Sequence, residues 1–218
     1  MSYNFYYISK RTPEVKKAYN NVTSLIKEVQ DLVRKDFTFR FDVVGSYKRN
    51  MITYDLKSNV GFDFDFNIEV NDDNEKFSEE KIRNIIREAL NKIVKKYGYD
   101  YPEDSIRVLT IKVKDKKNSS ILHSCDFAIV NNYSDVNCEG QQYIRFNKKQ
   151  NTYEWCEQGN GYYMLEEKVE WIKESDLWGE LRNLYIKKKN TNYNPYCRSR
   201  AIFAMAVHEI CQKHGFIF

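Results

Sequence analysis

The sequence predicts an α+β fold: a mixed or antiparallel sheet with flanking helices, followed by a helical C-terminal lobe. Two observations carry this prediction. Segments with the two-residue alternation of strands fall before residue 158, interrupted by two long stripes at helical spacing, and from residue 159 onward the apolar spacing is helical alone. The division predicted from this change of period is a core over residues 1–158 and a helical lobe over residues 159–218. A chain of 218 residues, 42% hydrophobic and 15% aromatic, can bury such a core, and its composition lies far from that of a disordered chain.

Each element has its own signal. From Pro13, with Thr12 placed to cap, Val15, Val22, Leu25, Ile26, Val29, Leu32 and Val33 fall on one face of a long helix. Residues 39–44 read as a short strand ended by Gly45-Ser46, and residues 47–57 as a turn or short helix. Residues 60–70 alternate strictly, with Phe62, Phe64, Phe66, Ile68 and Val70 on one face and Asp63 and Asp65 on the other. A polar loop over residues 71–76 leads to Ser78, the predicted cap of a helix. Its Ile82, Ile85, Ile86, Ala89, Leu90, Ile93, Val94 and Tyr97 make the cleanest apolar stripe in the chain, closed at Gly98. Residues 106–113 and 121–130 are predicted as a hairpin, and a shorter strand pair is predicted near residues 143–146 and 153–155. After Gly159-Asn160-Gly161, helices are predicted near residues 162–173, 176–189 and 197–213.

Composition removes several classes. A net charge of +4, from 35 basic and 31 acidic residues, is too small to mark a nucleic-acid surface and suits small polyanions. Cys125, Cys138, Cys156, Cys197 and Cys211 form no C-x-x-C pair and are odd in number, which argues against a zinc ribbon or a complete disulfide framework and for reduced thiols. Residues 1–10 lack the apolar run of a secretory signal, and no stretch has the length of a bilayer crossing, so the expectation is a cytoplasmic protein with no membrane partner.

The chemistry concentrates in two places. Residues two apart on a strand project from one face about 7 Å apart, so Asp63 and Asp65 stand together, and carboxylates that close repel unless a cation lies between them. Asp126 sits in the apolar strand 121–130, on the face it shares with Ser124 and Ala128, where an unpaired charge is costly unless it meets a counter-ion or a metal. If the two strands are neighbours, the three carboxylates converge, and hard divalent cations are their natural partners. Gly45-Ser46 supplies the complement: a glycine at a strand end admits a phosphate closely, and the serine hydroxyl can donate to it. Together these are the parts of two-metal phosphoryl transfer.

Gly45-Ser46, then Asp63-Phe64-Asp65 in an aromatic strand, then Cys125-Asp126-Phe127 in a later one, resemble the polymerase-beta nucleotidyltransferase superfamily. Val44-Gly45-Ser46-Tyr47 with residues 62–70 is most similar to the branch containing oligoadenylate synthetases, cyclic GMP-AMP synthase and their bacterial relatives. The resemblance implies the polymerase-beta-like fold, two Mg2+ ions (or Mn2+ in their place) on Asp63, Asp65 and Asp126, and a nucleoside triphosphate seated on Gly45 and Ser46. It implies transfer of a nucleoside monophosphate to a hydroxyl with release of pyrophosphate, ATP being the expected donor and a nucleotide second messenger an expected product. Residues 181–189 and 199–207 resemble the family's basic helix and its serine-started final helix. That match implies Lys187 on the triphosphate, Ser199 beside it, and a C-terminal lobe that closes the cleft.

Taken singly, these residues have plainer readings: a solvent-facing side of an edge strand for Asp63 and Asp65, an ordinary turn for Gly45-Ser46, a strand-end ion pair for Asp126, and a solvated helix end for Lys187. Their combination outweighs those readings. His123 and Cys125 share a face without a second zinc-spaced pair and read as packing. Tyr47, Tyr193 and Tyr196 are candidate platforms for a base. The acceptor stays open among a second nucleotide, an RNA, a protein and a small molecule, the last three describing a modifying enzyme of toxin–antitoxin or antibiotic-modifying type. A non-catalytic nucleotide-binding module of the same fold is the rival from another class.

Overall fold

The computed structural model describes residues 3–55, 61–72, 76–135, 138–159, 162, 164–194 and 196–216. Val60 of the expected strand, residues 56–57 of the expected turn, residues 73–75 of the polar loop, and Asn160 and Gly161 lie outside the described residues. In chain order the elements are β1 (Phe5–Tyr7), α1 (Pro13–Val33), β2 (Thr38–Val44), α2 (Gly45–Lys48), β3 (Thr53–Asp55), β4 (Phe62–Asn71), α3 (Glu79–Ile93), β5 (Glu103–Asp104), β6 (Val108–Asp115), β7 (Ser120–Asp135), β8 (Cys138–Asn147), β9 (Thr152–Glu157), α4 (Leu165–Glu174), α5 (Trp178–Thr191) and α6 (Ser199–His214).

The chain divides into two compact units, the larger comprising Ile8–Ile52 and Asn59–Gln158, the smaller Met1–Tyr7, Thr53–Ser58 and Gly159–Phe218. In the larger unit a seven-stranded sheet runs β2-β4-β7-β6-β5, with β8 on the far half of β7 and β9 beyond it. The sheet is mixed: β4 and β7 are parallel, and the other pairs are antiparallel. The alternation of β4 places Phe62, Phe64, Phe66, Ile68 and Val70 on the buried face, where Phe39, Ile68 and Phe127 meet Ile26 and Val29 of α1 and Ile86 and Leu90 of α3 around one small apolar cavity. Each such side chain contributes roughly 1.5–3 kcal/mol on burial, which is why the two amphipathic helices lie on this face.

The caps differ in how they work. Ser78 Oγ accepts from the backbone N–H of Lys81, and Glu79 and Glu80 fill the first turn of α3. Thr12 occupies the N-cap of α1 but makes no side-chain cap bond, a correction to the expected role; Pro13, with its preset φ, opens that helix. A single 3-10 turn, Val94–Tyr97, extends α3 to Gly98, whose φ of 81° ends it. Arg83 of α3, on a position that a polar residue would ordinarily keep wet, is fully buried. Its guanidinium donates to Asp104 Oδ1 at 2.6 and 2.9 Å and to the carbonyls of Ile144, Ser105 and Val108, so the helix is tied to β5, β6 and β8 by one cation whose donors are used.

The smaller unit is built differently from the expected division. Its helices α4, α5 and α6 bury Ile172, Leu181, Tyr185, Ile202, Phe203, Ala206, Val207 and Ile210. Two short strands, β1 and β3, pair antiparallel within the same unit, whereas the change of period in the sequence places both with the core. The reason is local: Asn190 of α5 accepts from the Phe5 N–H at 2.6 Å and donates to the Phe5 carbonyl at 2.9 Å, so a side-chain amide serves as the next partner of β1. Tyr7 Oη donates to the Arg182 carbonyl at 2.7 Å, and Lys189 Nζ donates to Thr53 Oγ1 at 2.5 Å. Among the described residues no helix is long and apolar enough to cross a membrane.

Candidate active site

The polar face of the larger sheet carries the carboxylates. In the parallel register of β4 and β7, Asp65 stands opposite Asp126 and Asp63 opposite Ser124; in the antiparallel register of β6 and β7, Thr110 stands opposite Asp126 and Lys112 opposite Ser124. Val44, the last residue of β2, pairs with Asp65. One row across the sheet therefore reads Val44, Asp65, Asp126, Thr110, and the adjoining row reads Asp63, Ser124, Lys112. The strands of Asp63, Asp65 and Asp126 are neighbours, and the three aspartates share one face.

Gly45 closes the row. Its φ is +64°, in the left-handed region, and a Cβ built on it would lie 1.9 Å from Asp65 Oδ2. Both facts require glycine: the backbone conformation disfavours other residues, and the space of the side chain is taken by the Asp65 carboxylate. Ser46 follows in the four-residue α2, its carbonyl accepting from the Met51 N–H at 2.9 Å. Behind the aspartates, on the buried face, His123 stacks on Phe62 at 5.2 Å and shares a hydrogen bond with Tyr99 Oη, which also accepts from Cys125 Sγ. These two residues pack, as expected, and burial pushes His123 down to about 4.

The electrostatics of the face are strained toward protonation. Asp65 is pushed up to about 6, by burial first and then by the charges of Asp63 and Asp126, with Arg49 acting against them. Asp126 is also raised by burial, while the Thr110 hydrogen bond and the Lys112 charge favour its ionised form. Thr110 Oγ1 donates to Asp126 Oδ1 at 2.6 Å, Ser124 Oγ donates to Asp63 Oδ1, and Lys112 Nζ pairs with Glu103 at 2.6 Å. Thr110 and Lys112 are further neighbours of the site, beyond the residues that the sequence motifs name. Their signal was present in the alternation of residues 108–113, which sets Thr110 and Lys112 on the side away from Leu109 and Ile111, but their partners depend on the β6–β7 register.

Lys187 and Ser199 belong to the smaller unit and are described there. Lys187 is exposed on α5 and lines a groove with Glu180, Leu184, Glu209, Ile210 and Lys213. Ser199 is the exposed first residue of α6. Of the neighbouring lysines, Lys188 pairs with Glu209 at 2.5 Å and Lys189 is engaged with Thr53. Tyr47 is stacked on Tyr19 with ring centres 4.4 Å apart, whereas Tyr193 and Tyr196 are 78% and 87% exposed. Among the described residues no group of three or more His, Cys, Asp or Glu side chains stands close enough as placed to hold a metal ion.

The mixed sheet with its two covering helices is the α+β fold of nucleotidyltransferases. Several solved forms of Vibrio cholerae DncV share it. The form bound to 3'-deoxy GTP is 16% identical, with a TM-score of 0.56 over 91% of this chain and 53% of that one. A mutant form solved with ATP and GTP among its ligands is 12% identical, with a TM-score of 0.56 over 90% of this chain and 54% of that one. The cyclic AMP-GMP synthase in complex with the linear intermediate pppA(3',5')pG is 16% identical, with a TM-score of 0.50 over 82% and 47%. This chain thus spans about half the length of the structures it matches. No family model matches the chain, and no curated protein does.

Proposed function

We propose that this chain is a nucleotidyltransferase that passes a nucleoside monophosphate from a nucleoside triphosphate to the hydroxyl of a second nucleotide, releasing pyrophosphate and making a nucleotide second messenger. One observation carries the reading: Asp65 and Asp126 stand side by side on adjacent parallel strands, with Asp63 on the same face and Gly45 at the end of the next strand. The fold is that of DncV, whose solved forms hold GTP, ATP and a linear dinucleotide, and this supports a nucleotide as both donor and acceptor.

The donor chemistry fits divalent cations. Three hard carboxylates share a face on which burial first, and then the charges of Asp63 and Asp126, push Asp65 up to about 6, and a cation would offset both while favouring the ionised form of all three. In this reading Asp63, Asp65 and Asp126 would hold two Mg2+ ions, or Mn2+ in their place. Bound there, such ions neutralise the triphosphate and make the attacking hydroxyl more acidic. The chain's own residues do the rest. Gly45 lets the backbone approach the phosphates, the Ser46 hydroxyl donates to them, and Asp126 polarises the acceptor O–H.

Incubation with α-labelled ATP, GTP, CTP and UTP, singly and in pairs with Mg2+ or Mn2+, followed by chromatography, tests the reading. The expected result is pyrophosphate together with a linear or cyclic dinucleotide, abolished in Asp63→Ala/Asp65→Ala. Labelled protein, RNA or small-molecule product would replace the proposed acceptor, and wild type as inactive as the double variant over all these acceptors would sink catalysis in favour of a binding module.

A further inference from the structure

Two of the three aspartates receive a hydroxyl from the neighbouring strand at matched register. Thr110, opposite Asp126 across the antiparallel β6–β7 pair, donates to its Oδ1 at 2.6 Å. Ser124, opposite Asp63 across the parallel β4–β7 pair, donates to that residue's Oδ1. The two contacts differ in setting. Asp63 is exposed, whereas Thr110 and Asp126 are half-buried, so the Thr110 bond competes less with water. The terminal torsion of an aspartate is broad, and a short bond to one oxygen restricts it. Threonine suits the task, since a β-branched side chain on a strand has a stiff χ1 and its hydroxyl is aimed by the backbone.

We infer that Thr110 is a positioning residue for the proposed transfer: its hydroxyl holds the Asp126 carboxylate in the orientation in which it engages a divalent cation. The inference rests on the reading that the three aspartates hold such cations. Partners of this kind, one bond behind a ligand, change metal affinity or activity by about 10–100-fold when removed. Thr110→Val deletes the hydroxyl, keeps the shape and favours the strand, while Thr110→Ser keeps the hydroxyl and loses only the methyl group.

The test is Mn2+ binding to the full chain, followed by electron paramagnetic resonance, alongside kcat and the KM for ATP and GTP, with metal-free melting as the control on folding. For Thr110→Val the expected outcome is Mn2+ affinity weakened about 10-fold and kcat lowered about 10–100-fold, with KM within about 3-fold of wild type. Thr110→Ser is expected to stay within about 3-fold of wild type in all of them. Thr110→Ala serves if the valine variant fails to fold, and the same losses are expected of it. Wild-type Mn2+ affinity in the hydroxyl-free variant would overturn the inference, as would a serine variant impaired as much as the valine variant, which would assign the effect to the methyl group. A wild-type chain that binds no Mn2+ would overturn the cation reading itself, and this inference with it.

Discussion

At the scale of the residue, Gly45 and Asp65 are one feature. The carboxylate lies where a side chain on residue 45 would be, and the backbone there is left-handed. Gly45→Ala is therefore expected to lose about 1–2 kcal/mol through the backbone conformation alone and to displace Asp65 besides. A misplacement on the order of 1 Å can lower turnover by about 100-fold, and dinucleotide formation together with a melting curve reads both effects. Asp65 itself is held at a cost to stability. Its folded value of about 6 exceeds its ordinary 3.8, so ionising it on the folded chain is disfavoured by about 3 kcal/mol. Asp65→Asn in EDTA is accordingly expected to be more stable than wild type at pH 7.5 by up to about that amount, with the gain gone near pH 4, as denaturant titrations at the two pH values would show.

At the scale of the element, Arg83 explains how α3 is fixed to the sheet. Arg83→Met leaves Asp104 and three carbonyls without their shared donor, and the expected loss is about 3–5 kcal/mol by chemical denaturation. Arg87 also reaches Asp104, at 3.3 Å, but its side chain is 37% exposed, and Arg87→Ala is expected to change stability by no more than about 1 kcal/mol. The contrast between the two arginines was not legible in the sequence, where both sit on a helix between apolar positions. What was legible were elements long enough to show a period: the stripe of α3, the strict alternation of β4, and the hairpin of β6 and β7. The three-residue strands β1 and β3 show no period, and β1 owes its place to Asn190, 185 residues away. The aspartates and Gly45-Ser46 could be read because strand geometry and spacing carry them, whereas Thr110 and Lys112 become site neighbours only through a cross-strand register.

At the scale of the whole molecule, two half-buried groups on opposite faces of β4 and β7 oppose one another in pH. Asp65, raised to about 6, contributes stability that is present below about 4 and lost as pH rises through 6. His123, lowered to about 4, must be neutral to stay buried, so its contribution is present above its ordinary 6.5 and lost as pH falls through 4. The windows overlap and the signs are opposite, so the contributions of these two groups to the stability of the metal-free protein are expected largely to cancel between about pH 4 and 6.5. Asp65→Asn should unmask a profile that rises with pH, and His123→Phe one that falls; parallel profiles in the two variants would refute the assignment. The parallel pairing of β4 with β7 has a consequence of another kind. Residues 62–69 meet residues 123–130, with α3, β5 and β6 threaded between them, so this contact closes a loop whose entropy must be met before the contact can repay it. No short fragment contains the site, and during synthesis Asp65, already beside Val44 of β2, meets Asp126 only after β7 has left the ribosome. The carboxylate face is thus assembled late, by which time α1, β2 and α3 are able to shelter the aromatic side of β4 from aggregation.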